Sequence, residues 1–139
     1  MPLILKPIDN HETASWGLSI SSSDFQKLKS GFSPMSMDDK WVIRAMEPDQ
    51  NGNITVHYAR SWTGAQFYIL TLKPAENNCA VVETITWRRG QNAGATPSSK
   101  QARKETVILS RMLLGCQFES LPHYDSSIFW NPQDDESDD

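Results

Sequence analysis

The chain has few means of building a covalent or metal-held fold. Its 139 residues include two cysteines, Cys79 and Cys116, and three histidines. The cysteines lie far apart and form no CxxC pair, and with so few histidines they make no zinc-ligand spacing. They read as reduced, largely buried thiols in a cytoplasmic protein. Long hydrophobic runs are missing as well. No stretch approaches the roughly 20 apolar residues of a membrane span, and Leu3-Ile4-Leu5 behind Pro2 is too short for the core of a secretion signal. No membrane partner is expected. The phosphate-binding GxGxxG and Walker A loops, HExxH and the GxSxG elbow are all absent. The sequence thus offers no catalytic signature, and neither a metal nor a cofactor is expected.

Charge of one sign is scarce outside one place. The formal charge is -4, but Asp134-Asp135-Glu136-Ser137-Asp138-Asp139 holds five of the 17 acids. The rest is close to balance, so nothing demands a nucleic-acid partner. The acidic stretch reads as a disordered, solubilising tail.

What the chain does have is aromatic bulk: five tryptophans, five phenylalanines and three tyrosines. That is enough large apolar area for one core in one domain. Residues 1–15, with two prolines and little periodicity, read as an arm. Residues 16–121 read as a single α+β domain, and 122–139 as a C-terminal segment ending in the acidic tail.

Alternation of Trp16, Leu18 and Ile20 predicts a short strand. Ser21-Ser22-Ser23-Asp24 offers helix caps, Phe25 and Leu28 share one side of a short helix, and Gly31 would stop it. Strands are predicted over Trp41–Glu47, Ile54–Arg60, Gln66–Leu72 and Cys79–Trp87. Asn51-Gly52 marks the first hairpin, because both positions tolerate positive φ. Trp62-Thr63-Gly64 and Lys73–Asn78 supply the next turns. Short connections between four strands make an antiparallel meander, which the Trp16–Ile20 strand could extend to five. The Gln66–Leu72 strand is apolar on both faces and reads as central. Residues 88–98 read as a loop. A helix from Lys100 to Leu114 follows, with Ala102, Thr106, Leu109 and Leu113 as its apolar stripe and Ile108 and Met112 widening it. Arg103, Lys104 and Arg111 are expected outside, and one face of the sheet is expected beneath the stripe.

Two clusters carry possible chemistry. In Arg60-Ser61-Trp62-Thr63-Gly64 the arginine offers a five-donor fork for phosphate or carboxylate. Ser61 and Thr63 offer hydroxyls, Trp62 a face for stacking, and Gly64 close backbone approach. In Trp87-Arg88-Arg89-Gly90, basic residues again flank an aromatic. In a simple meander the strands that end at Arg60 and Trp87 run the same way, so the two clusters meet at one edge. The plain alternatives are a packed turn with Arg60 paired to Asp38 or Asp39, and a solvated basic strand end. Asp38-Asp39 could act on a cation or a proton, but neighbours on an extended chain point apart. His57 with Tyr58 or Glu83 lacks a third partner fixed by spacing.

Asp38-Asp39-Lys40-Trp41 and His57-Tyr58-Ala59-Arg60-Ser61-Trp62-Thr63-Gly64 together resemble the pattern of a small, largely uncharacterised domain family. The resemblance covers roughly residues 36 to 90. Such domains are similar to companions of proteins that process ADP-ribose or related nucleotides. The resemblance implies a nucleotide-type ligand at the Arg60–Trp62 edge and assigns no reaction.

Three readings follow. The first is a non-enzymatic binding or accessory domain for a phosphate-bearing small molecule, ADP-ribose-like or nucleotide-like. Arg60, Arg88 and Arg89 would contact phosphate, Trp62 or Trp87 would stack, and Ser61 and Thr63 would hydrogen-bond. The second is a protein-interaction module, an inhibitor or immunity-type partner, anchored by tryptophans. The third is a small hydrolase or transferase using Asp38, Asp39 or His57.

Overall fold

The computed structural model describes residues 8, 11–35, 39–88 and 98–121. Asp38, Arg89, most of the loop expected over 88–98 and the whole C-terminal segment 122–139 lie outside the described residues. The elements run β1 (His11–Ile20), α1 (Ser22–Ser30), β2 (Trp41–Ala45), β3 (Ile54–Arg60), β4 (Gln66–Pro74), β5 (Ala80–Arg88) and α2 (Ser99–Leu109). The five strands form one sheet in the order β1-β5-β4-β3-β2, antiparallel throughout. The class is α+β, with β2 to β5 as a meander and β4 in the middle.

Alternation decides which side of the sheet is core. Ile54, Val56 and Tyr58 on β3, Tyr68, Leu70 and Leu72 on β4, and Val82, Ile85 and Trp87 on β5 are buried together with Phe25, Leu28, Ala102, Val107 and Leu109 from the helices. Both helices therefore cover the same face. On the other face Thr55, His57, Ile69, Thr71, Thr84 and Thr86 are only half-buried.

Several local expectations are corrected. β1 begins at His11, inside the stretch read as an arm, because a bulge after Ser15 lets it turn and continue along β5. Gly17, at φ 73°, sits in that bulge, where a left-handed residue is needed. The interruption hides the strand from a simple alternation count. A guanidinium nitrogen of Arg103 donates to the carbonyl of Ser15 at 2.6 Å and so ties α2 to the bulge.

The first hairpin turns differently from the two-residue loop that Asn-Gly suggests. Only Gly52 has positive φ, at 82°. The Asp49 carboxylate instead accepts the amides of Asn51 and Asn53 at 2.8 and 2.9 Å, and Gly52 N–H bonds back to the Asp49 carbonyl. An aspartate-capped turn of this kind satisfies three amides at once and outcompetes the tighter alternative.

The C-terminal helix is not one regular α-helix. α2 stops at Leu109 and a π turn, Ser110–Leu114, follows. One extra residue per turn rotates everything after it by about 100°. Met112, expected on the apolar stripe, is thereby 61% exposed. Leu113, expected on the stripe, packs on the core, and Leu114 joins it there in place of Met112. Lys104, expected outside, is buried at 5% exposure. The π turn holds a buried relay: Tyr58 donates its hydroxyl to Ser110 Oγ at 2.6 Å, and Ser110 donates to the Thr106 carbonyl at 2.7 Å. Burial pushes the Tyr58 phenol well above its ordinary pKa, so it stays a donor.

Candidate functional site

The site lies where β3 and β5 end. Arg60, the last residue of β3, pairs across the ladder with Trp41, the first of β2. The chain then reverses through four residues. The amide of Arg60 donates to the Ala65 carbonyl and that of Gly64 to the Arg60 carbonyl, at 2.9 and 2.8 Å. Gly64 takes φ 75°, which closes such a four-residue loop cheaply. Ser61 anchors the loop to the β2 entry, its amide on the Lys40 carbonyl at 2.9 Å and its hydroxyl on the Asp39 carbonyl at 2.6 Å. The Asp39 carboxylate in turn accepts the Met35 amide at 2.8 Å. Both groups hold the loop against the β2 entry.

β4 re-enters with a bulge. Tyr58 pairs with Tyr68, but the next partner of β3, Ala59, pairs with Gln66, which leaves Phe67 between them. Bulges re-aim a side chain. Here Phe67 meets Trp41 edge-on, with ring centroids 5.5 Å apart and planes at 76°. The Arg60 guanidinium lies 5.0 Å from the Trp41 ring and 5.9 Å from Phe67. Arg88, the last residue of β5, lies 5.1 Å from the same Phe67 ring. Among the described residues neither guanidinium pairs with a carboxylate or donates a hydrogen bond. A cation held near a ring face keeps N–H donors that the ring does not use.

Around this array opens a cleft of about 440 Å³ lined by Lys40, Arg60, Trp62, Thr63, Ala65, Phe67 and Arg88. Its described lining has three cations and no carboxylate. Trp62 is 67% exposed on the rim. Thr63 accepts the Ala65 amide at 3.2 Å, so its hydroxyl hydrogen remains to donate.

Of the residues singled out in the sequence, the fold brings Arg60, Trp62, Thr63 and Arg88 into one cleft. Ser61 is in the loop but serves its anchoring. Trp87 is 4% exposed and belongs to the core, whereas Trp62 is exposed. Arg89 lies outside the described residues. Sequence reasoning missed Lys40 and Phe67. Lys40 could have been found, since it precedes the strand that starts opposite Arg60. Phe67 could not, because nothing local marks the bulge that presents it.

His57 is held elsewhere, on the half-buried face. Its Nδ1 bonds to the Gln66 side-chain amide, and its Nε2 to the Thr55 hydroxyl at 2.9 Å. Tyr58 points to the opposite face. Burial, and then Arg44, lower the His57 pKa against the opposing pull of the Gln66 bond. A histidine kept neutral in the fold stabilises it fully above the unfolded value of about 6.5, and that contribution disappears as pH falls through the lower folded value. Urea midpoints at pH 7.5 and 5.5 should therefore fall further for wild type than for His57→Asn. An equal fall in both would contradict this.

No group of three or more His, Cys, Asp or Glu among the described residues could hold a metal ion. Burial, helped by the Asp24 charge, pushes the Cys116 thiol up to about 12, which makes it a poor nucleophile. No helix among the described residues is long and apolar enough to cross a membrane.

Compared with protein-family models, curated proteins and solved structures, the chain matches none.

Proposed function

We propose that this is a binding domain for a phosphate-bearing small molecule, and that the cleft between Lys40, Arg60 and Arg88 is its site. One observation carries the reading. Two guanidiniums lie within about 6 Å of aromatic rings, with no described carboxylate partner, and line one cleft together with a lysine. Arginine forks bind phosphate bidentately, and a volume near 440 Å³ is in the range of small-molecule sites. Trp62 would stack a planar group, and Thr63 would donate a hydrogen bond. Among nucleotides, ADP-ribose is favoured only by the resemblance of residues 36 to 90.

The protein-interaction reading has less support. Among the described residues four large apolar side chains are exposed, Met35, Met46, Trp62 and Met112, and three of the four are flexible methionines rather than the rigid aromatic anchors that dominate interfaces.

Thermal shift against nucleotides, ADP-ribose and NAD tests the proposal. Ligand at a hundred times Kd should stabilise the wild-type protein by about 2.7 kcal/mol. Arg60→Ala should keep the fold, since the side chain is exposed, and should lose about ten- to a hundredfold in affinity, the scale of a charge-assisted hydrogen bond. No shift with any compound, or one that survives Arg60→Ala unchanged, would remove the proposal.

A further inference from the structure

We infer that Phe67 is the positioning residue of this cleft, and that it makes the cleft a reader of two adjacent anionic groups, a diphosphate, in preference to one. The inference rests on the phosphate reading above and goes further in assigning the two arginines separate tasks.

The argument starts from the asymmetry of the rings. Arg60 has two aromatic supports, Trp41 at 5.0 Å and Phe67 at 5.9 Å. Arg88 has Phe67 at 5.1 Å. The Phe67 ring therefore sets where Arg88 stands relative to Arg60. It can do so because the bulge in β4 leaves it without a partner on β3, and because Trp41 meets it edge-on. Two cations around one ring repel each other, and a lysine on the same cleft adds a third positive charge. An anion between them relieves that repulsion. One phosphomonoester brings a charge of only about -1.5 to -2 and one set of acceptor oxygens. A diphosphate adds a further ionised group and a second set of acceptors, one for each fork.

The asymmetry makes the test sharp. Removing the Phe67 ring should release Arg88 while Arg60 keeps Trp41. Contact with the second phosphate should then be lost while contact with the first survives. Calorimetric titration of the full chain with AMP and with ADP reads this directly. Wild type should bind ADP at least about tenfold more tightly than AMP, the scale of one charge-assisted hydrogen bond. Phe67→Leu should bring ADP down towards AMP while AMP itself hardly changes, and Phe67→Tyr, which keeps the ring, should restore the ratio. Arg88→Ala, at the end of β5 and outside the core, should collapse the ratio in the same way, and it carries the test should Phe67→Leu fail to fold. Equal affinities in wild type, or an ADP preference that survives both Phe67→Leu and Arg88→Ala, would overturn the inference and leave the phosphate site standing. Failure of AMP, ADP and pyrophosphate alike to bind wild type would overturn the phosphate reading and this inference with it.

Discussion

Asp24→Ala is expected to lower the stability of the domain by about 3–4 kcal/mol, as breaking a buried charged interaction does. Asp24 is 1% exposed in the first turn of α1. Its two carboxylate oxygens accept the amides of Gln117 and Phe118, each at 2.8 Å. Those amides belong to the stretch that leaves the π turn, where Phe118 holds a left-handed φ of 46° with its ring in the core. Lys27, one turn further along α1, donates to the Gly115 carbonyl at 2.9 Å. One short helix thus clamps the end of the other by both signs of charge. Alanine would leave the buried Phe118 amide and the part-buried Gln117 amide without acceptors and release a strained residue. Asparagine should do little better, because its NH₂ would face an N–H. For a domain of this size the loss corresponds to roughly 10–15 °C in Tm. Ser21→Ala is the control on the same helix. It removes the N-cap, whose hydroxyl oxygen accepts the Asp24 amide at 3.1 Å, and should cost only about 1 kcal/mol. A Tm for Asp24→Ala within a few degrees of Ser21→Ala would mean that the clamp contributes nothing beyond capping.

Asp24 also illustrates what a sequence can disclose. Its place in a run of serines made it a candidate cap, and a cap is a local property. Its partners lie more than ninety positions away, and no local pattern announces them. The same division runs through the fold. The limits of β2 to β5 follow from alternation and turn residues, both visible within ten residues. The meeting of Arg60 and Arg88 follows from one further step, that alternate strands of a meander run parallel. The bulge at Phe67, the bulge at Gly17 and the π turn at Ser110 were not legible. Each is an extra residue whose accommodation depends on the neighbouring strand or on the buried Tyr58 hydroxyl. The consequence for the site is specific. The charged half of the cleft, Arg60 and Arg88, could be read from the chain. The Phe67 ring beside them could not, because in a regular register Phe67 would pair opposite Ala59, and the bulge gives that place to Gln66. Trp87 shows the converse error: a tryptophan beside arginines looks like a stacking surface until alternation is carried one residue further and places it in the core.

Gly31→Ala is expected to be as damaging as the loss of Asp24, for a reason unrelated to charge. Gly31 follows α1, and its amide bonds back to Lys27 as a helix stop requires. Many residues could end a helix there at modest cost, and a left-handed cap alone would make alanine unfavourable by about 1 kcal/mol. Two further constraints apply. Its φ of 72° and ψ of -170° fall in a region that only glycine enters freely. A Cβ on Gly31 would also stand 2.3 Å from the backbone carbonyl oxygen of Ile43. That oxygen is not free to move. It accepts the Phe32 amide at 2.8 Å, while the Ile43 amide donates back to Phe32 at 3.0 Å, a bridge that covers part of the outer edge of β2. Alanine must therefore push β2 away or break the bridge. Strain of the backbone and loss of two buried hydrogen bonds together come to about 3 kcal/mol or more. Because β2 carries Trp41 and follows Lys40, the damage should reach the cleft. Urea unfolding of Gly31→Ala should show a much lower midpoint, and amide exchange should rise first at Ile43 and Phe32. A variant that kept the wild-type midpoint would show that α1 can leave β2 without cost, and the bridge would then have no part in holding the β2 entry in place.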